Sequence, residues 1–212
     1  MLASKLALLL LLRAVAAKIP SVQLNNGVLM PQFLLGMGPW CGKQGDCYNA
    51  SAAKADVEMA LGLGIVGIDT AKGYGSHGAN TGIGEAVALH PRNATFLQSK
   101  VPGCSSPNTP AECAAKTAAD FDAVLAELKT PFVDSMLLHG PPHVTPKGAA
   151  CDAAVCALAK AQWGVLEEYY KEGKARSIGV SSASLLPCSC PCSCPCSCPS
   201  PCSCPCFCPS SS

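Results

Sequence analysis

From residue 34 onward the chain repeats one unit, a short apolar run followed by a stretch with helical spacing, and this repetition narrows the fold more than any other feature. Apolar runs start near residues 34, 65, 95, 132 and 175, at intervals of about 31, 30, 37 and 43 residues. Each interval has room for a crossover helix, so consecutive strands are expected to be parallel. Strands are expected over 34–40, 65–70, 94–101, 132–139 and 175–181. Helices are expected over 52–63 with Ser51 as the cap, over 81–89, over 110–129 and over 156–172. The third helix opens on Thr109-Pro110-Ala111-Glu112, a capping box with proline at the first helical position. Gly173 is expected to end the fourth. Ahead of these units, 22–29 sets two short apolar runs around Asn26-Gly27, a hairpin signal. The class is α/β. The rhythm alone fits an open doubly wound sheet almost as well as a barrel, although no G-x-G-x-x-G follows the first strand to mark a Rossmann dinucleotide site.

The two ends have other compositions. Residues 1–17 carry Lys5, an apolar run over 6–12 and Ala14-Val15-Ala16 as a small-x-small pattern. A run this short falls below the roughly 20 apolar residues a bilayer requires, so a cleaved secretory signal is expected, with no stable membrane span. Arg13 leaves an uncleaved anchor or an organelle-targeting leader as the alternative. At the other end, 10 of the 16 cysteines fall in 188–212, a stretch built only of Cys, Ser, Pro and one Phe. Proline every few residues forbids helix and central strand, and the segment lacks apolar bulk, so 184–212 is expected to be a disordered low-complexity tail. A metal-binding tail, a disulfide-crosslinked tail and the translation of a simple repeat or shifted frame remain three readings of it. The body over 18–187 is short of the roughly 250 residues of a complete eight-stranded α/β barrel.

The six body cysteines form close pairs, Cys41 with Cys47, Cys104 with Cys113 and Cys151 with Cys156, and local disulfides are the simplest expectation. No CxxC pair or close histidine suggests a metal there. Asn49-Ala50-Ser51 and Asn93-Ala94-Thr95 are glycosylation sequons. Formal net charge is +1 and only 14% of residues are charged, so no basic field points to nucleic acid.

Chemistry in parallel α/β proteins collects at the C-terminal ends of strands, and four polar residues fall there. Asp69 ends one run, Tyr74 lies in the loop after it, and Lys100 and His139 end the next two. An isolated Asp, Lys or His closing a buried strand is costly unless paired, so the four are expected to cluster. An ammonium beside a tyrosine favours its phenolate, an aspartate holds the ammonium charged, and a histidine can hydrogen-bond a carbonyl. That set suits proton transfer to a carbonyl oxygen while a cofactor delivers hydride. Taken singly, each has a plainer role: Asp69 as a helix cap, Tyr74 as loop packing, Lys100 as a solvated charge and His139 as a core histidine.

The segments GIDTAKGYG (67–75), FLQSKV (96–101), DSMLLHGP (134–141) and RSIGVSS (176–182) resemble the aldo-keto reductase family in order and spacing, over about 20–182. The hairpin LNNGVLMP (24–31), LLGMGPW (34–40), and Trp163 with Leu166 before Gly173 fit the same pattern. The resemblance implies an incomplete (β/α)8 TIM barrel of about five β/α units over 18–183, reducing an aldehyde or ketone with NADPH. It implies Tyr74 as general acid, tuned by Lys100 and Asp69, with His139 orienting a small carbonyl substrate. Cofactor contacts are implied for Asp69, Ser181 and Ser182. Ser181 corresponds to a residue that holds the nicotinamide carboxamide, and Ser182 stands where the family usually has asparagine. The loop 75–80 is longer than the family's usual Asn-Glu continuation, and 140–150 is expected to line the substrate pocket. After Ser182 the pattern is not continued; a full family member has three more strand–helix units, with the nicotinamide-stacking residue and the adenosine 2′-phosphate site. A non-catalytic reductase-derived fragment with a metal-binding or crosslinking tail is therefore the second reading.

Overall fold

The computed structural model describes residues 19–38, 48–74, 78–140 and 153–181. The expected leader, the Cys41–Cys47 pair, Cys151, residues 75–77 of the loop 75–80, residues 141–150 of the loop 140–150, Ser182 and the tail lie outside the described residues.

An antiparallel hairpin comes first, β1 (Ser21–Gln23) with β2 (Leu29–Pro31), in the register Ser21 to Pro31. Gly27 takes φ 85° in its turn, a backbone only glycine adopts without strain. A five-stranded parallel sheet follows, of β3 (Leu34–Gly36), β4 (Gly67–Asp69), β5 (Phe96–Pro102), β6 (Ser135–His139) and β7 (Ile178–Ser181). Strand order in space equals order in the chain. A doubly wound sheet reverses direction at a switch point, so the unreversed order decides for the barrel type that the rhythm alone left open. Helices α1 (Ala50–Gly62), α2 (Ala79–Val87), α3 (Pro110–Glu127) and α4 (Ala153–Lys171) occupy the crossovers. The core lies between sheet and helices, around Ile68, Leu97, Val101, Phe121, Met136 and Leu166. Among the described residues no helix is long and apolar enough to cross a membrane.

Helix ends follow local chemistry. Thr109 and Glu112 close the expected capping box, the Glu112 carboxylate accepting from Thr109 N at 2.7 Å. Gly173, at φ 76°, closes α4 as expected, with Lys174 N donating to Tyr169 O at 2.9 Å. The start of α1 differs from the expectation at Ser51. Asn49 is the cap: its backbone is extended and its Oδ1 accepts from Ala52 N at 3.1 Å, which draws Ser51 into the first turn.

Two glycines of α2 are fixed by close approach. A Cβ on Gly82 would lie 1.9 Å from Ala50 O, and one on Gly84 would lie 2.4 Å from Leu128 O. The helix therefore rests its backbone on the start of α1 and the end of α3. The expected Cys104–Cys113 disulfide is formed, and Cys156 is also disulfide-bonded. Beside the first bond, Gln162 of α4 is 1% exposed, accepts from Cys104 N, and donates to Pro102 O and Thr117 Oγ1.

The N-terminal end of the sheet is held by Asp134, whose side chain is 2% exposed. Its carboxylate accepts from Arg92 Nη2 at 2.7 Å, Arg176 Nη1 at 2.8 Å and Leu97 N at 2.9 Å. Arg92 also donates to Thr130 Oγ1, Thr95 O and Phe132 O and lies over the Phe132 ring. Asn26, in the hairpin turn, donates to Arg176 O at 2.8 Å and ties the hairpin to this end.

Candidate active site

At the opposite end, β4 and β5 build the base of the site. Gln98 and Lys100 are two apart on a strand and share one face, which in the parallel register lies beside Asp69. Lys100 is only 6% exposed, and its Nζ donates to Asp69 Oδ1 at 2.7 Å, Asp69 Oδ2 at 2.8 Å and Thr70 O at 3.0 Å. All three ammonium protons are thus accounted for, which is what makes a buried lysine tolerable. Gln98 Nε2 donates to the same Asp69 Oδ1 at 2.7 Å. The plainer readings of Asp69 as a helix cap and Lys100 as a solvated charge therefore do not hold.

Tyr74 ends a 3-10 turn, Lys72–Tyr74, just beyond β4. Its ring lies 5.2 Å from Lys100 Nζ, and its hydroxyl is 3.4 Å from Nε2 of His139, which ends β6. The two rings meet edge to face at 89°. Burial, then the Lys100 charge, lowers the His139 pKa from the ordinary histidine value, with Asp69 pulling the other way. The four residues expected to cluster are thus brought together in one chain of contacts, Asp69 to Lys100 to Tyr74 to His139. Ser181 ends β7, opposite His139 in the register, and its hydroxyl has no hydrogen-bond partner among the described residues.

The turn that carries Tyr74 is held from behind by residues that local sequence patterns did not single out. Asn80, 1% exposed at the start of α2, accepts from Thr70 Oγ1 at 2.8 Å and donates to Ala71 O at 3.2 Å and Glu127 Oε2 at 2.9 Å. Glu127 in turn pairs with Lys72. Gln98 was open to detection, since it lies two before Lys100 on the same face. The Asn80–Glu127 contact joins residues 47 apart in sequence and has no local signature. A separate apolar cavity of about 330 Å³ lies between β3 and α1, lined by Leu35, Met37, Tyr48, Met59 and Leu63, and includes none of the four. Burial, then Asp56, pushes the Tyr48 hydroxyl there up to about 12.

An unreversed parallel strand–helix array with its polar cluster at the strand C-termini defines the class, a TIM-barrel-type α/β protein. The model of the Aldo/keto reductase family matches residues 34–186, and the chain belongs to that family of oxidoreductases. It is 32% identical over 168 residues to the NADPH-dependent alpha-keto amide reductase of Saccharomyces cerevisiae, covering 75% of this chain and 48% of that protein. It is 31% identical over 167 residues to the glyoxal reductase of Bacillus subtilis, covering 76% of this chain and 49% of that protein. The chain thus spans about half the length of these relatives. Among solved structures, an aldo/keto reductase from Brucella melitensis aligns with a TM-score of 0.59 at 28% identity, over 79% of this chain and 56% of that one. An aldo-keto reductase from Bombyx mori, solved in complex with NADP, aligns at 0.58 over 77% of this chain and 50% of that one, and at 24% identity it supports the fold alone.

Proposed function

We propose that this site reduces a small aldehyde or ketone with NADPH, Tyr74 supplying the proton. The observation that carries the reading is the Tyr74 hydroxyl held 3.4 Å from His139 Nε2 with the Lys100–Asp69 pair behind its ring. The residues present fit the nicotinamide end of the cofactor: Ser181 offers a half-buried hydroxyl, without a hydrogen-bond partner among the described residues, beside His139, and would hold the carboxamide. When bound, NADPH supplies the hydride that goes to the carbonyl carbon.

The protein's own steps concern the oxygen. Tyr74 Oη transfers its proton to the carbonyl oxygen and keeps the bonding pair as phenolate. Lys100 offsets that charge across the ring, and Asp69, with Gln98 on the same oxygen, fixes where the ammonium sits. His139, held in its neutral form by burial and Lys100, offers an N–H to the carbonyl oxygen without competing as an acid. The phenolate recovers its proton from solvent, and the product is the alcohol.

The test is NADPH consumption with a panel of small aldehydes and ketones, run on the full chain and on Tyr74→Phe. Carbonyl-dependent turnover lost in the variant supports the reading, and unchanged turnover removes Tyr74 from its role. NADPH titration followed by fluorescence tests the cofactor end separately: micromolar binding supports the reading, and no binding removes NADPH from it.

A further inference from the structure

We propose that Asn93 is an N-glycosylation site, so that the end of the sheet opposite the polar cluster carries an oligosaccharide. Asn93 is exposed in the 3-10 turn Arg92–Ala94 that leads into β5. Its carboxamide makes no hydrogen bond among the described residues. The turn itself is rigidly set, because the neighbouring Arg92 side chain is bound to Thr130, Thr95, Phe132 and Asp134, and Ala94 N donates to Pro91 O at 2.8 Å. A firm support thus presents a free carboxamide to solvent.

Thr95 supplies the second observation. It is 3% exposed, and its Oγ1 is buried with no hydrogen-bond partner among the described residues. A buried hydroxyl without a partner lowers stability, and valine has the same shape without that cost. No hydrogen bond among the described residues accounts for this hydroxyl in the fold. The Asn-x-Thr acceptor is read on the chain before it folds, and there the hydroxyl at the third position is required. Ser99 Oγ is also buried and unpartnered, but it completes no sequon.

The other sequon is a weaker case. Asn49 is committed through Oδ1 to the cap of α1, and Ser51 is exposed and carries no comparable cost. The disulfide Cys104–Cys113 fits the same oxidising compartment in which N-glycans are added, as does the secretory leader expected over 1–17. In the transfer, Asn93 Nδ2 loses one proton and bonds to the anomeric carbon of an oligosaccharide. The donor is a lipid pyrophosphate conjugate; its bond from that carbon to oxygen breaks and the pyrophosphate leaves, with no redox change. Thr95 lies five residues before Lys100, about 16 Å along the strand at roughly 3.3 Å per residue, so the glycan stands clear of the Tyr74 cluster.

The experiment expresses the full chain with its own leader in a eukaryotic secretory host and measures intact mass before and after peptide-N-glycosidase. The expected result is one glycan increment, retained in Asn49→Gln and Thr95→Ser and lost in Asn93→Gln and Thr95→Val. The melting temperature of Asn93→Gln/Thr95→Val should lie about 2–4 °C above that of Asn93→Gln, both being unglycosylated. A chain unmodified at Asn93, or an increment lost only in Asn49→Gln, overturns the proposal. A lower melting temperature in the double variant also overturns it, since the hydroxyl would then serve the folded state. None of these outcomes depends on reductase activity.

Discussion

Two aspartates at opposite ends of the same sheet are built from similar parts toward different ends. Asp134, before β6, gathers Arg92, Arg176 and the Leu97 amide, and its side chain is 2% exposed. Asp69, at the end of β4, gathers Lys100 and Gln98, and its side chain is 25% exposed. At the Asp134 end the guanidinium groups also bind backbone carbonyls and an aromatic face, and the cluster closes on itself. At the Asp69 end the ion pair is closed too, but its cation faces a tyrosine ring, and beyond the ring stand a phenol, an imidazole and a serine hydroxyl with bonding capacity to spare. A saturated charge cluster fixes geometry. One that ends in unsaturated groups can act on a ligand.

The contrast can be broken by exchanging defects between the two ends. Tyr74→Phe should lower carbonyl-dependent turnover by about 100- to 10,000-fold, the usual range for one positioned acid, with the melting temperature unchanged. Steady-state kinetics beside thermal melting checks both halves. Asp134→Ala should cost about 3 kcal/mol in urea unfolding, the low end for breaking a buried pair because Arg176 is half in solvent. Asn80→Ala should fall between them, losing about 1–3 kcal/mol by orphaning Thr70, Ala71 and Glu127, with a smaller loss of turnover as the Tyr74 turn loosens. The smallest effect is a titration shift. The His139 midpoint, followed by NMR, should lie below about 6.5; Lys100→Met should raise it, Asp69→Asn should lower it, and Asp134→Asn should leave it in place. Because the folded value is the lower one, the unfolded chain takes up the proton first. Stability should therefore decline as pH falls through the window from about 6.5 to the folded midpoint.

The strand–helix rhythm was legible because each buried strand is a run of apolar residues, and the capping box of α3 because its four residues act locally. The start of α1 was misread by two residues, since Asn49 and Ser51 are both competent caps and only the extended backbone at Asn49 decides between them. The choice between barrel and doubly wound sheet was not legible from rhythm, because both use the same local unit and differ in which strand lies beside which. The polar cluster was legible from Asp69, Lys100 and His139 interrupting apolar runs at strand ends. Its supports were not, since Asn80 and Glu127 meet across 47 residues of sequence. Asp134 was passed over for the same reason, as Arg92 and Arg176 each lie 42 residues from it.

The crowding at Gly82 and Gly84 bears on how this protein would look in a substitution library. At these positions even alanine would put a methyl carbon 1.9 or 2.4 Å from a neighbouring carbonyl oxygen, so almost every replacement should score as null. Elsewhere in a helix, replacing glycine by alanine gains about 1 kcal/mol. Ranked by intolerance alone, these glycines would stand level with Tyr74 and Lys100 although neither reaches the site. What they fix is the seat of α2, and through Asn80 the turn that holds the tyrosine. Tolerance maps of this domain would therefore mark two kinds of indispensable residue, and only kinetic measurements on folded variants would tell them apart.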